Sequence, residues 1–124
     1  DAAISKKKRS VNIYEINKNN NILDLGKESV FQIINIINKS KTIIWSGPLG
    51  YFEKKPYNYA TNEIANAINS KKKIISVVGG GDTIAALKKN KKIKNFSFLS
   101  TGGGAFLNWI EKLTLPGIEI LKKN

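Results

Sequence analysis

The chain has 124 residues, of which 21 are Lys or Arg and 9 are Asp or Glu, for a formal net charge of +12. That length holds one domain or part of one, with a modest core. It contains no cysteine and no histidine, which excludes disulfide frameworks, thiolate metal centres, ordinary zinc sites and imidazole acid–base catalysis. In chain order, "DAAIS" (1–5) reads as the end of a strand already in progress. With Asp1 and not methionine at its start, the chain looks like a piece whose beginning is missing. "SKKKRS" (5–10) reads as a basic loop, "VNIYEI" (11–16) as a short alternating strand, and "NKNNN" (17–21) as a turn. "GKESVFQIINIINKS" (26–40) sets Val30, Ile33, Ile34 and Ile37 on one helical face, with Glu28 in the first turn. "KTIIWS" (41–46) is a predicted strand ended by "GPLG". "ATNEIANAINS" (60–70) is a predicted helix with Thr61 as its cap and Ile64, Ala65 and Ile68 inward. "KIISVV" (73–78) is apolar on both faces, which suits a buried parallel strand. "DTIAALKKN" (82–90) is a predicted helix, acidic at its start and basic at its end, in keeping with the helix dipole. A strand at 96–100 and a helix at 104–113 follow, and "TLPG" closes the series.

Strands and helices alternate from 26 to 113, which predicts an α/β layer with parallel strands. No apolar run approaches the roughly 18 residues of a membrane span, and nothing reads as a signal peptide. A soluble, cytoplasmic protein is expected. Two sources can account for the basic charge. One is a surface for nucleic acid or another anion. The other is compositional drift toward Lys, Asn and Ile. Only Arg9 is arginine, and the other basic residues are lysines. A surface that reads phosphate or guanine by geometry would favour the planar arginine fork, so drift is the preferred reading.

Six of the ten glycines form two triplets, in "KIISVVGGGDTIAALKK" (73–89) and "FSFLSTGGGAFLNWIEKL" (96–113). Each stands between a predicted strand and a predicted helix. In open α/β sheets ligands sit at the carboxyl ends of strands. Glycine lets backbone amides approach a phosphate without a Cβ in the way, and the helix that follows adds free N–H groups and positive potential. Asp82 follows the first triplet, where an acid is suited to a Mg²⁺ that bridges to phosphates, and Thr83 offers a hydroxyl. The competing reading is a pair of tight structural turns, and the acid beside one of them weighs against it. "WSGPLGYFEKKP" (45–56) makes a third turn, rigid through Gly47, Pro48 and Gly50. Glu53 just beyond it reads either as a ribose-binding carboxylate or as a solvated surface acid, and spacing alone favours the latter. Trp45, Tyr51 and Phe52 read as packing residues.

Together and in this order, "TIIWSGPLGYFE", "VVGGGDTIAAL", "LSTGGGAFL" and "LPGIEIL" resemble phosphoglycerate kinase. The resemblance spans essentially the whole chain, more loosely over 5–25. It implies the C-terminal portion, residues 1–124, of a single nucleotide-binding α/β domain. That domain is a three-layer, Rossmann-like parallel sheet, here incomplete and without the N-terminal substrate domain. The family moves the acyl phosphate of 1,3-bisphosphoglycerate to Mg-ADP, giving ATP and 3-phosphoglycerate, as a hinge-closing monomer. By position, the resemblance implies that Asp82 coordinates Mg²⁺ and that Thr83 and the amides of Gly80 and Gly81 meet the nucleotide phosphates. It likewise implies that Glu53 binds the ribose and that Pro48 and Leu49 line the nucleoside site. Gly102, Gly103 and Gly104 would face the phosphoryl group in flight. The two turns are thus expected to divide ground-state binding from transfer. Ser46 stands where the family usually has Asn, and Glu111-Lys112-Leu113 in "WIEKLTLPG" departs from the family's usual Leu-Glu-Gly-Lys rhythm. The arginine-rich sugar-phosphate site and the charge-neutralising lysines belong to parts of the family's chain that are absent here, so the fragment is expected to be inactive alone. The rival hypotheses are a basic nucleic-acid-binding module and a fold remnant without function of its own. The scarcity of Arg and of aromatic–basic alternation counts against the first.

Overall fold

A computed structural model describes residues 1–4 and 10–122; most of the expected basic loop at 5–10 lies outside them. The elements run β1 (Ala2–Ile4), β2 (Ile22–Leu25), α1 (Lys27–Lys39), β3 (Thr42–Ser46), α2 (Tyr59–Asn69), β4 (Ile75–Gly79), α3 (Gly81–Lys89), β5 (Phe98–Ser100), α4 (Gly103–Lys112) and α5 (Pro116–Lys122). β3, β4 and β5 form a parallel sheet in that order, with Ser46 beside Gly79 and Gly79 beside Ser100. The predicted α/β class is therefore the observed one. β3 and β4 are β-branched runs, the pattern of a parallel sheet fed by helices.

The core lies on one face of this sheet. Trp45 and Val78 point into it and meet Ile37 of α1, Ile64 and Ile68 of α2, and Ile84 and Leu87 of α3. The Trp45 ring lies tilted against Phe96, with centroids 6.4 Å apart, so its expected packing role is observed. On the other face α4 begins the third layer by seating Phe106 over Gly79, where an added Cβ would come 2.9 Å from the ring. Beyond that contact the face is open. Ile44, Val77 and Phe98 are in register across it, and Ile44, Ile75 and Phe98 are 51% to 59% exposed. Parallel sheets are almost always covered on both faces. We therefore expect the isolated chain to associate through this face, since contiguous exposed apolar surface drives association. Sedimentation should show assemblies that grow with concentration, and Ile44→Lys with Phe98→Lys should shift them toward monomer. A monomeric chain across the concentration range would contradict this.

Three local expectations are corrected. Residues 11–16 are not a strand. Val11 makes one antiparallel bridge to Ala2, and then the Asn12 side chain accepts the Tyr14 amide and starts a 3₁₀ turn at Ile13–Glu15. A side chain that competes for backbone amides breaks a ladder, and the alternation has no core to face, because Ile13 and Tyr14 are exposed. The unpredicted β2 pairs antiparallel with β1. Thr61 is not a cap either. It lies inside α2, fully buried, because the helix opens two residues earlier at Tyr59.

Candidate functional site

The carboxyl ends of β3, β4 and β5 bring the three glycine-bearing turns together. The Gly80 amide donates to the Ser100 carbonyl at 2.9 Å, which stitches the first triplet to the end of β5. Gly80 has φ +96°, a conformation that glycine adopts without strain. Gly103 then packs on Gly80 itself: a Cβ at Gly103 would stand 3.0 Å from the Gly80 Cα. The two triplets are in backbone contact, which calls for glycine at 103, while the positive φ calls for glycine at 80. Gly81 and Gly104, by contrast, have open space where a Cβ would go.

α3 and α4 both open at this spot. The first amides of a helix have no partner within it, so exposed Gly81 and Asp82 of one helix and Gly103, Gly104 and Ala105 of the other present N–H groups and two dipole ends. The Gly80 amide, expected to meet phosphate, is already bonded to Ser100, and Gly81 supplies the open one. Asp82 is exposed in the first turn of α3. Thr83 is fully buried, and its hydroxyl accepts the Gly47 amide at 2.9 Å. It ties the third turn to α3, a role the sequence did not reveal.

The third turn is fastened along its length. The Trp45 indole N–H donates to the Gly47 carbonyl at 2.7 Å. The Thr61 hydroxyl accepts the Leu49 amide at 2.8 Å and donates to the Leu49 carbonyl at 2.7 Å. The Tyr51 amide donates to the Leu23 carbonyl at 2.7 Å. Pro48 and Leu49 line a cleft of about 450 Å³ between this loop and β2, together with Gly50, Tyr51 and Ile22–Leu25. Leu49 also leans on the core. Tyr51 is half exposed at the cleft and not packed away as expected. Glu53 is exposed, and its carbonyl accepts from the Lys89 ammonium at 3.0 Å. Lys89 lies seven residues beyond Asp82, about 10 Å along the helix at 1.5 Å per residue. Glu53 is thus held beside the last turn of α3, and its main chain is not drawn to the glycine turns. Ser46 ends β3 next to Gly79.

A group of six lysines lies at the opposite end of the sheet. Lys71, Lys72, Lys73, Lys91, Lys92 and Lys94 stand in the segments that lead into β4 and β5, and the Lys71 ammonium donates to the Ile37 carbonyl at the end of α1 at 3.1 Å. Helix carboxyl termini gather there, and cations offset their partial negative charge.

The phosphoglycerate kinase family model matches residues 1–112. The chain belongs to the phosphoglycerate kinase family. A phosphoglycerate kinase of Orientia tsutsugamushi (strain Boryong) is 46% identical over 121 residues, 90% of this chain and 30% of that protein. One of Ruegeria pomeroyi is 50% identical over 103 residues, 81% of this chain and 26% of that protein. The solved structure of phosphoglycerate kinase from Coxiella burnetii superposes with a TM-score of 0.79 at 37% identity, over 91% of this chain and 28% of that one. The chain spans about 30% of the length of the phosphoglycerate kinases it matches first. Among its described residues no helix is long and apolar enough to cross a membrane. No group of three acidic residues among them forms a metal cage either.

Proposed function

We propose that these 124 residues are the C-terminal portion of the nucleotide-binding domain of a cytoplasmic, glycolytic phosphoglycerate kinase. In this reading they carry part of the Mg-ADP/ATP site for reversible phosphoryl transfer between 1,3-bisphosphoglycerate and ADP, yielding ATP and 3-phosphoglycerate. The observation that carries the reading is the backbone contact of Gly103 with Gly80, which sets two helix amino termini side by side. Phosphoryl transfer asks for placement and positive field more than for covalent chemistry, and preorganised amides supply both in a site that does not reorganise.

The open amides of Gly81 and Asp82 hold the nucleotide phosphates, with Thr83 behind them. Those of Gly103, Gly104 and Ala105 point at the group being moved. Pro48 and Leu49 give the nucleoside an apolar wall, and Glu53 reaches a ribose hydroxyl. A magnesium ion takes few protein ligands and completes its octahedron with phosphates and water. One exposed carboxylate at a phosphate-binding turn, Asp82, fits that requirement. When bound, the ion supplies charge neutralisation across the phosphates.

The test is Asp82→Asn, which keeps size and removes charge. ADP affinity measured with and without Mg²⁺ should lose most of its magnesium dependence in the variant, while metal-free affinity stays near that of the unaltered protein. An identical response to Mg²⁺ in both proteins would remove Asp82 from the metal site.

A further inference from the structure

Asp24 is the one buried charged side chain among the described residues, 3% exposed, on β2. Burying a carboxylate is costly unless its oxygens are satisfied. Here main-chain amides satisfy them. One oxygen accepts the Leu25 amide at 2.9 Å, and the other accepts the Ala60 amide at 3.1 Å. Burial pushes the carboxyl pKa up, and the Ala60, Leu25 and Tyr59 amides pull it back part of the way.

Ala60 is in the first turn of α2, so Asp24 caps that helix from 36 residues away. A local cap was at hand. Asn58 occupies the N-cap position, where asparagine ranks among the best residues, but its amide is turned to Asn90 and makes no cap bond. The remote cap achieves something that a local one does not. A Cβ on Gly50 would overlap the Asp24 carboxylate, and Gly50 holds φ +67° against it. The neighbouring Tyr51 amide is bonded to Leu23, one residue from Asp24. β2, α2 and the third turn therefore meet at one carboxylate, on the floor of the cleft that Pro48 and Leu49 line.

We propose that Asp24 is a positioning residue for the nucleoside-binding loop. Its carboxylate is the seat on which Gly50 rests, and it sets where Pro48 and Leu49 stand without touching the nucleotide. The functional half rests on the nucleotide-site reading above. The positional half does not.

Asp24→Ala separates the two. Amide hydrogen exchange of Tyr51 should accelerate about tenfold or more, as loss of a buried acceptor loosens its neighbourhood, while the β4 amides keep their protection. A carboxylate that only capped α2 would free Ala60 and leave Tyr51 unchanged, because Tyr51 is bonded to β2 and not to α2. That result overturns the proposal, as does uniform loss of protection across the core. In Mg-ADP binding, affinity should fall about tenfold, the size of one well-placed contact. In turnover by the complete enzyme, KM for ADP should rise with kcat held. An unchanged affinity alongside a loosened Tyr51 also overturns it. If the unaltered protein fails to bind Mg-ADP, the site reading fails by itself, and the exchange result still decides whether Asp24 sets the loop. Should Asp24→Ala not fold, Asp24→Asn keeps an acceptor for one amide, and the same Tyr51-specific loosening is expected at an intermediate level.

Discussion

Gly103→Val in the complete enzyme lowers turnover by about 10²–10³, the loss that follows removal of one preorganised donor to a charged transition state. Read from the sequence, the second glycine turn works on the group in flight and the first on the bound nucleotide, so such a variant would spare ADP affinity. The structure changes that expectation. A Cβ at Gly103 comes 3.0 Å from the Gly80 Cα, and two backbones in contact have no flexible side chain to yield. The displacement passes into the first triplet, so ADP affinity falls together with kcat. Gly104→Ala is the control, because open space receives its Cβ. It should lower kcat with little change in ADP affinity, the pattern of an interaction made in the transition state. Steady-state kinetics in both directions, with circular dichroism to show that the helices persist, distinguish the two variants. A folded Gly103→Val enzyme with unaltered ADP affinity would show that the turns are independent.

The 124-residue chain by itself should form no ATP from 1,3-bisphosphoglycerate and Mg-ADP. It matches only about 30% of the length of the first of its relatives. Among its described residues, the lysines nearest in sequence to the sheet gather at the end away from the glycine turns. Holding both reactants in line supplies about 7–11 kcal/mol of the barrier reduction in reactions of this type, and on the proposed reading these residues hold only the nucleotide side. A coupled assay on the purified chain reads this directly. Turnover above background that survives repurification and disappears in Gly103→Val would overturn it.

The parts of the fold that were legible in the sequence share one property: their signal is local. β3 and β4 are β-branched runs, and α1, α2 and α3 carry apolar stripes at helical spacing, so each element declares itself. The glycine turns were legible for the same reason, because a triplet between a strand and a helix has few other uses. What escaped depends on distant partners. β2 is a strand because β1 lies beside it. Thr61 looked like a cap because a threonine near a helix start usually is one, but the acceptor that caps α2 comes from Asp24, and the Thr61 hydroxyl is spent on Leu49. The tie between Thr83 and the third turn is of this kind, because its hydroxyl oxygen accepts the Gly47 amide from 36 residues away. For α5 a local signal did exist. Pro116 occupies its first position, which proline favours, although the predicted elements end at "TLPG".

The contact between Gly80 and Gly103 bears on how such a chain changes over generations. A pocket whose working atoms are main-chain nitrogens is spelled by conformation and not by side-chain chemistry. Any residue brings an N–H, so mutational pressure that fills a coding sequence with lysine, asparagine and isoleucine can rewrite the surface without touching the donors. The places where that pressure must stop are few: the glycines whose hydrogens leave room for one another, and the buried Asp24, Thr61 and Thr83 that hold the loops in place. On the proposed reading, a composition rich in lysine, asparagine and isoleucine is therefore compatible with a main-chain phosphate site in one chain.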